Sequence, residues 1–323
     1  MTQSLSELTT IHVGGKPQRI HVANSRDELI AIAKDVWSRT DNWLVLGGGS
    51  NLVAADELPG LEVIQVRNLG VEYKGQGRVR VQAGENWNDF VIHTAKQGLA
   101  GIESLAGIPG TVGAAPIQNI GAYGQELSLT LHSLEFLDFK TGEIQIMSKT
   151  DCGFGYRDSI FKQGKQGLIT WVEFQFFTDL PSAHNELLES RVEEVLALRA
   201  SKGMVLNDQD RDSWSCGSFF TNPIVSESFA KTLPIDAPQW PTEADDGLTV
   251  KLSAAWLIEQ SGIHKGFSLP GSKAAISSKH ALAITNRGDA TAAEVTELAR
   301  YIQTQVSNKF GVNLAPEPNL IGF

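Results

Sequence analysis

Ser25 with Glu28 three residues on, followed by Leu29, Ile30, Ile32 and Ala33, predicts a helix that opens on a capping box. The apolar run Trp43-Leu44-Val45-Leu46 then predicts a short buried strand, and three glycines follow it directly. Val79, Val81 and Ala83 alternate with Arg80 and Gln82 as a half-buried strand does, and Trp87 to Gln97 reads as a helix stopped by Gly98. Leu134, Phe136 and Phe139 before Thr141-Gly142, with Ile144 and Ile146 after it, predict a hairpin, and Trp171 to Phe177 a further strand. Helix and strand signals are mixed, so the segment reads as α+β.

Leu188, Val192, Val195 and Leu196 lie at helical spacing, in a helix expected to end near Arg199. The polar run Asn207-Asp208-Gln209-Asp210-Arg211-Asp212 then reads as a linker. Beyond it come an acidic, proline-containing insert from Ala237 to Asp246 and a helix over Ala254 to Gln260. An amphipathic helix carrying Val295, Leu298, Ala299, Ile302 and Val306 follows. These predict a second folding unit. The chain shows no internal repeat and no low-complexity tract.

Composition narrows the class without choosing it. At 323 residues the chain is long for one core and fits two or three domains, and 41% apolar with 20% charged residues is the balance of a globular protein. No apolar run approaches the roughly 20 residues of a membrane helix, and the N-terminus has neither a basic region nor an apolar core, so membrane insertion is not expected and a cytoplasmic location is. The net charge of −10 disfavours nucleic acid while allowing a local basic pocket for a small anion. Cys152 and Cys216 lack metal-ligand spacing, so no metal site is expected.

The candidate chemistry lies in separated motifs. Gly47-Gly48-Gly49 lets backbone N–H groups approach an anion, with Ser50 and Asn51 as further donors, so a pyrophosphate or a simple tight turn both fit. It matches neither the dinucleotide fingerprint nor the Walker A spacing. A second run of small residues, Gly107 to Gly124, offers backbone to a large flat ligand such as a flavin dinucleotide; an irregular loop through the core is the plainer reading. Tyr156-Arg157-Asp158-Ser159, Gly217 to Pro223 and Pro316-Glu317 add a fixed cation, a hydroxyl and a carboxyl group, a set suited to a reduction.

With Thr10-Ile11-His12-Val13-Gly14-Gly15, Gly47 to Asn51, Pro116 to Gly124, Tyr156 to Lys162, Gly217 to Pro223 and Leu314-Ala315-Pro316-Glu317 in this order, the chain resembles the UDP-N-acetylenolpyruvoylglucosamine reductase (MurB) family over nearly its whole length. The resemblance implies a vanillyl-alcohol-oxidase/PCMH-type FAD-binding fold of two subdomains plus a C-terminal α+β substrate-binding domain. Residues 1–56 would be the first FAD subdomain, with tail 318–323 returning to it, 57–206 the second, and 207–317 the substrate domain. It implies noncovalent FAD along Gly47, Gly48, Gly49, Ser50 and Asn51, and along Gly107, Ile108, Pro109, Gly110, Gly113, Ala114, Asn119, Gly121, Ala122 and Tyr123. NADPH would be the cosubstrate and UDP-N-acetylglucosamine enolpyruvate the substrate of a monomeric enzyme. Ser218 would be the proton donor, with Arg157 and Glu317 on the enolpyruvyl carboxylate, and Tyr156, Lys202, Asn222, Lys265 and His280 would contact the substrate.

One departure from the family pattern bears on the substrate. Related chains place a tyrosine over the diphosphate from a loop that here lies between Trp171 and Ser218, but the only tyrosines are Tyr73, Tyr123, Tyr156 and Tyr301. The stretch from Ala200 to Trp214 is also longer than expected, and His280 stands where an amide is usual. A flavin oxidase of the same superfamily would share the glycine runs without needing the Ser218 motif, and often attaches its flavin to a histidine. A nucleotide-sugar sensor would need neither Ser218 nor Glu317. The presence of both residues, and the absence of a histidine beside Gly47 or Gly107, favour the reductase.

Overall fold

The computed structural model describes residues 3–178, 184–244 and 247–323. The chain divides into two units. The first takes residues 16–50 and 58–205 with the N-terminal residues; the second takes 5–15, 51–57 and 206–323.

In the first unit Arg19–Ala23 and Trp43–Leu46 flank Glu62–Val66 in a three-stranded parallel sheet. Helix α1 (Arg26–Trp37) covers it, placing Leu29, Ala33 and Val36 against Ala23, Ile64 and Val66. Ser25 caps α1 as the pattern predicts, accepting from the Glu28 N–H at 3.2 Å, whereas the Glu28 carboxylate reaches back past Ser25 to the Asn24 N–H at 2.8 Å. A five-stranded antiparallel sheet follows, in the order Ile144–Ser148, Leu131–Asp138, Gly167–Gln175, Arg78–Gln82, Val71–Gly75. The predicted hairpin forms its first two strands, with Leu137 opposite Ile144. Asp138 accepts from the Lys140 and Thr141 N–H groups, which fixes the turn.

Helices α2 (Trp87–Lys96) and α3 (His184–Ser201) share one core with this sheet. Trp87, Phe90, Phe174 and Phe176 form its aromatic centre, ring centroids 5.3–6.2 Å apart. Gly98 stops α2 as expected, one residue after the C-cap and with φ +71. Helix α3 runs two residues past the expected end at Arg199.

The second unit gathers segments distant in sequence. Asn319–Ile321 pairs in parallel with Leu52–Ala54, and Leu5 N–H bonds the Gly15 carbonyl while Gly15 N–H bonds that of Ala55. A sheet ordered Ile224–Ser226, Gly247–Leu252, Gln239–Ala244 contains most of the predicted insert; its Asp245 and Asp246 lie outside the described residues. After the single turn α4 (Glu227–Ala230), helix α5 (Ala254–Gln260) matches its predicted span. Helix α6 (Ala292–Phe310) buries Val295, Leu298, Ala299, Ile302 and Val306 on the predicted face. A capping box between Thr291 and Glu294 starts α6, the Asp56 carboxylate accepts from the Ala292 and Ala293 N–H groups, and Gly311 ends the helix in the left-handed region.

The polar run from Asn207 to Asp212, read as a linker, begins just past the boundary between the two units and is held within the second. Asp212 is buried, accepting from the Ser277 and Ser278 hydroxyls and pairing with Arg287 at 2.9 Å. A carboxylate buried this way holds its segment in place because leaving it unpaired is costly. Among the described residues, no helix is long and apolar enough to cross a membrane.

Candidate functional site

In the parallel sheet, strand Trp43–Leu46 delivers Gly47 to Ser50 at its carboxyl end, where open sheets of this kind receive ligands. The second glycine run meets the first there. A Cβ on Gly48 would lie 2.7 Å from the Cα of Gly110, and the Ser50 hydroxyl donates to the Pro109 carbonyl at 3.0 Å. The two runs, 59 residues apart at that contact, are therefore packed backbone to backbone.

The start of α2 sets the second run. The Trp87 N–H donates to the Gly110 carbonyl at 3.1 Å and its indole N–H to the Leu105 carbonyl at 3.2 Å, while the Asn88 Oδ1 accepts from the Gly107 N–H at 2.6 Å. Val112 and Gly113 then bond the carbonyls of Glu85 and Ala83. Among the described residues, no group accepts from the N–H groups of Gly48, Gly49, Gly110 or Thr111. Four N–H donors in two abutting glycine loops make a nest for an anion such as a pyrophosphate. A dinucleotide fits this donor set, and the close approach of the two loops leaves no room for a side chain at Gly48, whose Cβ would meet the Gly110 backbone, or at Gly110, whose Cβ would lie 2.8 Å from the Ser50 hydroxyl oxygen.

Further along the run, Asn119 acts as a tie. Its Nδ2 donates to Glu126 and to the Gly155 carbonyl, both at 3.0 Å, and its Oδ1 accepts from the Ser128 N–H. The Ser159 hydroxyl donates to the Ile117 carbonyl at 2.6 Å. These bonds bring the Tyr156-Arg157 turn to the glycine run. Arg157 sits at φ +51, a conformation disfavoured for arginine, and its guanidinium donates to the Gly121 carbonyl and lies 5.4 Å from the Tyr156 ring centroid. Lys202 lies half-buried just past α3, in the same unit.

The second unit carries Ser218 and Glu317. Phe220 bridges Pro316, the Glu317 N–H bonds the Phe219 carbonyl at 2.9 Å, and the Thr221 N–H bonds the Ala315 carbonyl at 3.1 Å. This short antiparallel pairing sets Ser218 and Glu317 at one end of the same ladder. Phe219 and Phe220 are fully buried and anchor it, while Ser218 is half-buried, its hydroxyl without a hydrogen-bond partner among the described residues. Asn222, four residues on, spends its Oδ1 on the Ala254 N–H at the start of α5. Lys265 is exposed, and the half-buried His280 donates its N–H to the Ser277 hydroxyl. Burial pushes the thiols of Cys152 and Cys216 up to about 12, so both stay protonated and unreactive at neutral pH.

The candidate residues thus fall into two groups, each ordered by its own unit's backbone. Sequence patterns missed Trp87 and Asn88, which shape the Leu105–Gly110 loop, and Arg199. A signal existed for the last: Leu188, Val192, Val195 and Arg199 form one buried stripe on α3, with a cation where a fourth apolar residue belongs.

Comparison with known proteins adds the family. A model of an FAD binding domain matches residues 17–148, and one of the UDP-N-acetylenolpyruvoylglucosamine reductase C-terminal domain matches 209–321. A UDP-N-acetylenolpyruvoylglucosamine reductase from Leifsonia xyli subsp. xyli is 48% identical, covering 99% of this chain and 98% of the relative. The reductase of Mycobacterium tuberculosis is 41% identical, with 98% and 94% covered. The crystal structure of the reductase from Thermus caldophilus superposes with a TM-score of 0.72 at 27% identity, covering 99% of this chain and 97% of that one. The fold is accordingly an FAD-binding α+β domain followed by the C-terminal domain of this reductase.

Proposed function

The chain belongs to the UDP-N-acetylenolpyruvoylglucosamine reductase family, and from that membership we infer that it reduces UDP-N-acetylglucosamine enolpyruvate to UDP-N-acetylmuramate through FAD, in peptidoglycan precursor synthesis. NADPH as the hydride donor, action as a monomer and a cytoplasmic location belong to the same proposal. Residues 1–56 and 57–206 are assigned to the flavin and 207–317 to the substrate, with segments 5–15 and 51–57 folding alongside the latter and tail 318–323 pairing with 52–54.

The observation that carries the flavin reading is the abutment of Gly48 on Gly110 with four N–H groups left to donate. Gly47 to Asn51 and Gly107 to Ala114 would hold the pyrophosphate, and Asn119 and Gly121 to Tyr123 the remainder of the cofactor. FAD held there would supply two-electron chemistry between the nicotinamide and the terminal methylene of the enolpyruvyl group.

The chain's own residues manage charge and protons. An enol ether resists hydride unless its carboxylate draws electrons from the methylene carbon. Arg157, through its planar fork of donors, and the carboxyl group of Glu317 would bind that carboxylate as negative charge grows. Bonding of Arg157 to the Gly121 carbonyl supports this role by fixing the guanidinium before substrate arrives. Ser218 would then protonate the carbon bearing the ether oxygen. Its hydroxyl is weakly acidic, but enediolate character makes that carbon strongly basic, and no neighbour within the described residues competes for the proton. Tyr156, Lys202, Asn222, Lys265 and His280 are assigned to the nucleotide sugar.

Ser218→Ala tests the assignment by half-reactions. NADPH should bleach the flavin at the parent's rate, while product formation slows by roughly 10²- to 10⁴-fold. A variant that forms product as fast as the parent makes Ser218 structural.

A further inference from the structure

Arg199 lies in the last turn of α3 with 6% of its surface exposed, on the stripe that otherwise holds Leu188, Val192 and Val195. A guanidinium carries five N–H donors and is always charged. Here one, on Nη2, donates to the Met204 carbonyl at 3.3 Å, and Nε is buried with no partner among the described residues. No carboxylate described pairs with it. Burial pulls its pKa below the usual arginine value, and among the described residues only Tyr123, through its charge and a side-chain hydrogen bond, opposes that shift. The helix C-terminus offers only a further fraction of compensation. A cation taken out of water at a cost of several kcal/mol, with so little returned, is incomplete as it stands.

Its position says what completes it. Nε and Cδ both lie 3.2 Å from where a Cβ on Gly107 would be, so the guanidinium rests directly against that glycine. Gly107 in turn is held by Asn88 and leads into the loop that packs against Gly48 at Gly110.

We propose that Arg199 is the counter-cation for an anionic group of bound FAD lying against Gly107 and Tyr123. This rests on the flavin reading above. FAD offers such a group in two places: the pyrophosphate, which is always charged, and the isoalloxazine ring, which gains negative charge on reduction. Both are electron-rich partners for the same unpaired donor.

Arg199→Met keeps the length and apolar stem while removing the charge, and Arg199→Lys restores the charge without the fork. Three readouts are taken on the full chain: the Kd of FAD for the apoprotein, the midpoint potential of the bound flavin, and the Tm of apoprotein and holoprotein. If Arg199 serves the pyrophosphate, Arg199→Met loosens FAD at least tenfold and leaves the potential alone. Service to the reduced ring instead lowers the potential by about 30 mV for each tenfold loss in binding of the reduced form relative to the oxidised. Arg199→Lys recovers part of either effect. In both cases the apoprotein of Arg199→Met melts no lower than the parent apoprotein, since an uncompensated burial has been removed, and FAD raises its Tm by less. An Arg199→Met protein with parental Kd and parental potential overturns the proposal, whatever its Tm. A parent chain that takes up no FAD sinks the flavin reading itself, and this inference with it.

Discussion

Gly48→Ala attacks the contact on which the flavin site is built. The added Cβ would stand 2.7 Å from the Cα and 3.2 Å from the carbonyl carbon of Gly110. Carbon atoms rest at roughly 3.5–4.0 Å, so the two main chains must part by roughly 1 Å. Nothing flexible is there to yield, because both contacts are backbone. Overpacking of this kind costs about 1–3 kcal/mol in stability. The larger effect falls on the cofactor: a shift of roughly 1 Å takes N–H groups on one loop out of hydrogen-bond range of a phosphate held by the other. Losing one or two bonds to a charged acceptor, at about 1.5–3 kcal/mol each, weakens FAD binding by roughly 10- to 10⁴-fold. Gly142→Ala is the control. Its φ of +68 strains an alanine, but nothing lies within 4 Å of the new Cβ in the hairpin turn, so it should lower Tm modestly and leave FAD affinity unchanged. Fluorescence titration of each apoprotein with FAD reads the difference. A folded Gly48→Ala protein that binds FAD with the parent's Kd refutes the account of the two glycine loops.

Substrate contacts and acid stability give the remaining tests. Lys202→Gln and Lys265→Gln should each raise the KM for the nucleotide sugar, by about 10-fold or more where the lysine meets phosphate directly, without changing the rate at which NADPH reduces the flavin. Asn222→Asp should do the same while preserving the oxygen that caps α5; unchanged KM in all three variants removes the assignment. Burial opposes ionisation of Asp212, yet hydrogen bonds from Ser278 and Ser277 and the charge of Arg287 outweigh it and lower its pKa. A depressed carboxylate pKa contributes stability that is complete above the unfolded value of about 3.9 and disappears as pH falls through the folded value. Asp212→Asn should therefore lower the urea midpoint at pH 7 by a margin that shrinks below about pH 4. A margin constant from neutral to acid pH contradicts this.

Local chemistry was legible in the sequence wherever one segment decides its own structure. The apolar face of α6, the span of α5 and the turn at Thr141-Gly142 follow from periodicity and turn residues alone. The glycine runs were visible too, but not that Gly48 would abut Gly110, because no local pattern encodes which backbone a missing side chain admits. The linker reading of Asn207 to Asp212 falls beside the boundary between the units, but only tertiary structure shows that Ser277, Ser278 and Arg287, distant in sequence, bury Asp212. Asn88 is a polar residue in the first turn of a helix, and nothing nearby announces its bond to Gly107. Arg199 could have been read from its stripe, where a charge interrupts an apolar series. The ladder that sets Ser218 and Glu317 at one end joins residues nearly a hundred positions apart, and only tertiary structure reveals such pairings.

The central claim is a flavin that takes hydride from a nicotinamide and passes it to an enolpyruvyl ether. One anaerobic cuvette tests it. The purified protein reconstituted with FAD should bleach on one equivalent of NADPH, and one equivalent of UDP-N-acetylglucosamine enolpyruvate should then restore the oxidised flavin spectrum as an equal amount of UDP-N-acetylmuramate forms. A flavin that bleaches and stays bleached after the enolpyruvyl substrate is added, with no lactyl ether produced, would contradict the account.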